Sequence, residues 1–153
     1  MTGPEVEVVH VEPALAAVRD GAATRAELAP TIRRLLDDVW AHIRQAGDLS
    51  PGHNVVVYRG NPDDGPAPLE VGVQVGRRFD DPSATSVRCT ELPSGPAVRV
   101  THRGPYDAMA PAYAAIHRWA RDGGHALGVS WEVYGDWHAD PAQMETHIYW
   151  LLA

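Results

Sequence analysis

The residues Trp131-Glu132-Val133-Tyr134-Gly135-Asp136-Trp137 place a carboxylate among bulky aromatic neighbours. In a β-strand successive side chains alternate between faces, so Glu132, Tyr134 and Asp136 would share one face. Trp131, Val133 and Gly135 would share the other. A mid-strand glutamate in this setting has three readings. It faces solvent, it is buried and paired to an arginine, or it lies at the bottom of an aromatic groove that takes a cation. The third reading has a clear physical logic. A desolvated carboxylate is costly unless it is compensated, so a cationic ligand gains by neutralising it. Each nearby Tyr or Trp face adds cation–π attraction of roughly 0.5–2 kcal/mol. Apolar walls add affinity that tolerates varied ligand shapes. Tyr58 stands at the position equivalent to Tyr134 in an earlier, similar segment. With Met109, Tyr113, Trp150, Trp40, Val56 and His147, these residues make up the candidate binding set. Trp40 and Trp119 also have a plainer reading, as side chains that pack helices onto sheets. Trp150 either lines a groove or caps the core.

Other chemistries lack their residues. There is no HExxH motif and no second cysteine, and His138 and His147 are separated by a loop, so no metal site is expected. No GxSxG elbow is present, and neither GxGxxG nor GxxxxGK[ST] occurs, so no nucleotide cofactor is expected. Cys89 is the single cysteine, which excludes an intramolecular disulfide and fits a reducing cytosol. A formal net charge of −7 argues against direct binding to nucleic acid or to an anionic membrane. The N-terminus has no basic, apolar leader pattern, and no run reaches the ~18 apolar residues of a membrane span. The expectation is a soluble, cytoplasmic protein.

These residues need elements to hold them. Residues 6–11 read as a strand, and after Pro13 residues 14–19 continue it until Asp20-Gly21. Thr24 with Glu27 forms a capping-box pattern, and a helix should run from there to Gly47. Residues 53–58 and 69–75 read as strands separated by Asn61-Pro62-Asp63-Asp64-Gly65-Pro66, a turn-rich loop. The pattern then recurs. Residues 87–92 and 97–102 are strands broken at Pro93, residues 106–121 form a helix, and residues 131–136 and 144–152 are strands.

The two halves match by element: Glu12-Pro13 with Leu92-Pro93, Trp40 with Trp119, Tyr58 with Tyr134, Asn61-Pro62 with Asp140-Pro141. Repeat one spans about residues 5–76 and repeat two about 86–153, in one domain of 153 residues. One such unit buries its apolar face poorly, and two related by a pseudo-twofold bury it well. The fold class is α+β: two β-α-β-β repeats with antiparallel sheets and a central ligand groove.

The motifs His102-Arg103-Gly104-Pro105-Tyr106, Tyr113, Trp119, Trp131-Glu132-Val133-Tyr134, Asp140-Pro141 and Thr146-His147-Ile148-Tyr149 resemble the GyrI-like small-molecule-binding domain. That domain is also the effector-binding part of MerR-type and AraC-type multidrug-responsive regulators. Val57-Tyr58 and Asn61-Pro62-Asp63 in the first half fit it as well. The resemblance covers nearly the whole chain, and its specificity lies in the order of short motifs. It implies two SH2-like repeats and makes Glu132 the ligand-facing glutamate for a lipophilic cation. It places His147 where the family often has an acidic residue. No helix-turn-helix segment is evident, so a stand-alone member is expected. Relatives of that kind imply two alternatives to small-molecule binding or sequestration. One is a cofactor-independent hydrolase of cyclopropane-bearing or similarly strained electrophiles, with Glu132 and Tyr134 as its reactive groups. The other is a module with a protein partner, such as a gyrase inhibitor.

Overall fold

Runs of Val and other β-branched residues and two amphipathic stretches become strands and helices in the computed structural model, which describes residues 4–80 and 86–153. The first three residues of the N-terminal segment considered above lie outside the described residues. The chain divides into two compact units. One is Pro13–Leu92. The other joins the chain through Glu12 to Pro93–Ala153. The crossings fall at Glu12-Pro13 and Leu92-Pro93, the two dipeptides that the internal repeat matches. Proline cannot donate to a ladder, and it holds the residue before it extended, which suits a strand that leaves one sheet.

The Pro13–Leu92 unit contains β2 (Leu15–Ala23), α1 (Leu28–Ala46), β3 (Asn54–Tyr58), β4 (Ala67–Val75) and β5 (Val87–Glu91). Its sheet runs β5-β2-β4-β3, antiparallel throughout. The other unit contains β1 (Glu7–Val11), β6 (Gly95–Arg103), α2 (Ala110–Gly123), β7 (Leu127–Tyr134) and β8 (Glu145–Leu152). Its sheet runs β1-β6-β8-β7, again antiparallel. The strand orders correspond element for element, so the α+β repeat architecture is the architecture of the chain. The sequence order conceals one feature. β1 pairs with β6, and β5 pairs with β2, so the first strand of each repeat completes the sheet of the other.

The observed boundaries depart most from the sequence expectation in β2, the second helix and β7. β2 continues through Asp20-Gly21 to Ala23, because β4 pairs with it along its whole length, Leu15 opposite Val75 and Ala23 opposite Ala67. The second helix starts at Ala110 rather than 106, after a 3-10 turn at Tyr106–Ala108. β7 begins at Leu127 and stops at Tyr134, which leaves Asp136 beyond the strand. Other signals are realised as read. The Glu27 carboxylate accepts from the Thr24 amide at 3.3 Å and the Thr24 hydroxyl at 2.8 Å. Gly47 closes α1 in the left-handed conformation at φ 81°. Asn61 and Asp140 cap equivalent 3-10 turns, each side chain accepting the amide two residues on.

Each helix covers one face of its sheet. Leu36, Val39, Trp40 and Ile43 of α1 pack on Ala17, Val73 and Val75. Ala112 and Ile116 of α2 pack on Val98, Val100 and Ile148. On the other face of the Pro13–Leu92 sheet, Arg88 donates to Asp20 through two bonds of 2.9 Å and to Glu70 at 2.8 Å, while Arg59 donates to Glu70 at 3.1 Å. The Arg88 guanidinium holds the Asp20 carboxyl below its ordinary value, and hydrogen bonds to Asp20 and Glu70 raise Arg88 above its own.

Two predictions follow from this packing. A Cβ at Gly72 would stand 1.8 Å from the Ala17 carbonyl oxygen, so Gly72→Ala should lose about 3 kcal/mol or more in urea unfolding. A carboxyl with a depressed folded-state pKa adds stability above its unfolded value near 3.9, and that stability is lost as pH falls through the folded value. The stability gap between wild type and Arg88→Gln should therefore narrow as denaturation is measured at pH values descending from about 4.

Candidate functional site

Ser130, Glu132 and Tyr134 of β7 stand opposite Trp150, Ile148 and Thr146 of β8. Ile148 and Trp150 belong to the α2-covered core, so the same face carries all six side chains. Glu132 thus occupies a slot that normally holds a hydrophobe. Its counterpart in the first repeat, Val56, is such a hydrophobe: 1% exposed and opposite Val71. Glu132 is only 2% exposed and does not face solvent.

A carboxylate in this position needs donors. Tyr113, one turn into α2, donates its hydroxyl to Glu132 Oε2. Tyr134, two residues along the same strand face, donates to Oε1. Each oxygen therefore accepts a charge-assisted hydrogen bond, a type worth more than a neutral pair. The two phenols also fix the direction in which the carboxylate points.

Aromatic rings build the walls. Tyr106 meets Tyr134 edge to face at 5.3 Å. Tyr113 meets Trp150 edge to face at 6.2 Å, and His117 meets the same indole at 4.8 Å. Trp150 is held by its own hydrogen bond, Nε1 to the Gly128 carbonyl at 2.7 Å. Met109, immediately before α2, packs against the same core. α2 lies chiefly on β6, whereas α1 lies on both β2 and β4. The helix cover is therefore centred on β6, two strands away from the β7 row that carries Glu132.

The structure brings together Glu132, Tyr134, Tyr113, Met109 and Trp150 from the candidate set. His147 stands apart from them. It faces the opposite side of the sheet, pairs with Val133 and bonds Thr101 Oγ1 through Nδ1 at 2.9 Å. Period-two alternation separates it from Ile148 and hence from Glu132. On that opposite face Trp131 stacks on Tyr149 at 5.1 Å, and Arg99 bonds Glu7 at 3.2 Å. Asp136 lies past the strand end and does not share the Glu132 row. Trp40, Val56 and Tyr58 belong to the Pro13–Leu92 unit. Trp40 bonds Asn54 Oδ1 at 2.9 Å and packs on that unit's core, which matches its plainer reading.

Sequence reasoning left Tyr106, His117 and Thr146 out of the binding set. Tyr106 enters the sequence reading only as the end of the motif His102-Arg103-Gly104-Pro105-Tyr106 and the start of the expected helix. Thr146 was detectable in principle, since it shares parity with Ile148 and Trp150. Among the described residues, no group of three or more His, Cys, Asp or Glu side chains could hold a metal ion, and no helix is long and apolar enough to cross a membrane.

If the two phenols sustain the buried carboxylate, replacing both by Phe in Tyr113→Phe/Tyr134→Phe should cost about 2–4 kcal/mol at neutral pH in chemical denaturation. The same pair of changes in a Glu132→Leu background should cost clearly less, because the coupled partner is gone.

No protein-family model matches this chain, and no curated protein matches it. Solved structures do. EcmrR in its complex with DNA superposes with a TM-score of 0.84 at 17% identity, over 99% of this chain and 58% of the EcmrR chain. This chain thus corresponds to a little over half of that protein. The EcmrR C-terminal domain alone matches at TM-score 0.77 and 17% identity, over 98% of both chains. A hydrolase from Listeria innocua matches at 0.66 and 14%, over 97% of this chain and 92% of that one. SAV2435, solved bound to tetraphenylphosphonium, matches at 0.62 and 11%, over 97% of this chain and 94% of that one. At these identities the likeness concerns the fold.

Proposed function

We propose that this chain, whose fold is the GyrI-like effector-binding fold, binds hydrophobic, cationic aromatic small molecules with Glu132 as their counter-charge. The observation that carries the reading is a carboxylate 2% exposed inside an aromatic cluster, with a tyrosine hydroxyl on each oxygen. The hydroxyls keep the group oriented. A cation that reaches it gains Coulomb attraction in a poorly solvated place, where such attraction is strong. The rings of Tyr106, Tyr113, Tyr134 and Trp150 supply cation–π and apolar area, and Met109 adapts its shape to the ligand. Tyr106, 46% exposed, is the ring through which solvent and ligand first meet the cluster. SAV2435, a protein of the same fold, was solved with a lipophilic cation, which supports this ligand class. Binding of this kind suits an effector sensor or a sequestering protein.

A second reading draws on the Listeria innocua hydrolase of the same fold. Glu132 would act as general base toward water, with Tyr134 donating to the leaving group of a strained electrophile. Mass spectrometry with a cyclopropane-bearing electrophile separates the two readings: a water adduct formed faster than in buffer supports turnover.

For the binding reading, tetraphenylphosphonium is titrated calorimetrically into wild type and Glu132→Gln. The glutamine keeps the shape and two acceptor or donor sites but removes the charge. Affinity should fall about tenfold or more. Equal affinity in the two proteins would remove the electrostatic basis of the reading.

A further inference from the structure

Among the described residues, the Thr146 hydroxyl is a buried side-chain oxygen with no hydrogen-bond partner. Thr146 is fully buried, at 0% exposure. It stands on β8 directly opposite Tyr134, on the face that carries Glu132. Glu132 is opposite Ile148, two residues further along the strand, so Thr146 is its diagonal cross-strand neighbour. Diagonal neighbours lie roughly 7–8 Å apart at their Cα atoms. A small polar centre placed between the two side chains can therefore reach both.

A purely structural role does not account for this hydroxyl. Burying it without a partner costs free energy, and valine has the same shape without that cost. The strand ladder needs no side-chain oxygen here, and the next two positions on this face of β8, Ile148 and Trp150, are apolar-bodied and belong to the α2-covered core. Arg99 Nε, the other buried, partnerless side-chain atom among the described residues, lies on the opposite face.

We propose that Thr146 Oγ1 accepts a hydrogen bond from the ligand, and that the ligand class is a lipophilic protonated amine that keeps at least two N–H groups. One N–H would point to the Glu132 carboxylate and another to Thr146. This deepens the reading of Glu132 as counter-charge and rests on it. A quaternary ammonium or a phosphonium satisfies the charge but carries no donor, so it leaves the hydroxyl unpaired. Thr146 then discriminates between cations by their hydrogen-bonding capacity, while Glu132 selects for charge. A site that hydrogen-bonds one ligand disfavours an analogue lacking the donor, because its own buried group is left unsatisfied.

Two probes with one skeleton test this: dibenzylammonium, which has two N–H donors, and dibenzyldimethylammonium, which has none. Each is titrated by calorimetry into the full chain as wild type, Thr146→Val, Thr146→Ser and Glu132→Gln. Wild type should prefer dibenzylammonium by about tenfold. Thr146→Val should lose most of that preference, chiefly through weaker binding of dibenzylammonium, and Thr146→Ser should retain it. Thr146→Val should unfold at the same or higher denaturant concentration, which separates a lost contact from a damaged fold. If Thr146→Val keeps the full preference while Glu132→Gln weakens both probes, the role of Thr146 is overturned and the counter-charge reading stands. If neither probe binds wild type, or Glu132→Gln binds both unchanged, the counter-charge reading fails and this inference fails with it.

Discussion

A carboxylate inside a helix–sheet core is the constraint around which the second unit is organised. Such a group is tolerated only with donors on it, and here the donors are phenols from two elements. Tyr134 comes from the same strand and Tyr113 from the helix laid across it. The helix must therefore sit where Tyr113 reaches Glu132, and β7 must keep the register that aligns Tyr134. A one-residue slip of β7 would turn Glu132 to the opposite face and bring Val133 in its place. The antiparallel pairing with β8, Glu132 against Ile148 and Tyr134 against Thr146, prevents that slip.

The two units show what this constraint changes. They share strand order, equivalent Asx-capped 3-10 turns and a tryptophan on each helix that packs toward the sheet. In the first, Val56 fills the slot that Glu132 fills in the second, and α1 runs 19 residues over a continuous apolar face. In the second, α2 runs 14 residues and lies chiefly on β6. The same scaffold thus holds a buried valine at this slot in one half and a buried carboxylate in the other. Its stability rests on the exchanged first strands as well: β1 and β5 each complete a sheet built mostly from the other repeat.

Directional and non-directional interactions divide the work of recognition at such a site. Ring faces and Met109 supply area with little demand on shape, which suits ligands of many outlines. In the proposed reading Glu132 sets the sign of charge. The partnerless Thr146 hydroxyl adds a geometric demand that area and charge lack. A broad receptor and a selective one can therefore differ by a single buried oxygen on an otherwise unchanged face.

Much of this was legible in the residues alone. Strand alternation, the Thr24–Glu27 cap, the glycine helix stops and the repeated Pro and Asx-Pro signals come from local backbone physics, which acts within a few residues. They determined the α+β repeat and drew attention to Glu132 among aromatic residues. Only the tertiary structure decided which repeat each first strand joins, because pairing between distant edges leaves no local trace. It also decided that β2 runs on through Asp20-Gly21, since a ladder partner overrides a turn signal. It put His147 behind the sheet and Thr146 beside Glu132, because facing depends on register against β7, and register is a property of two strands rather than of one.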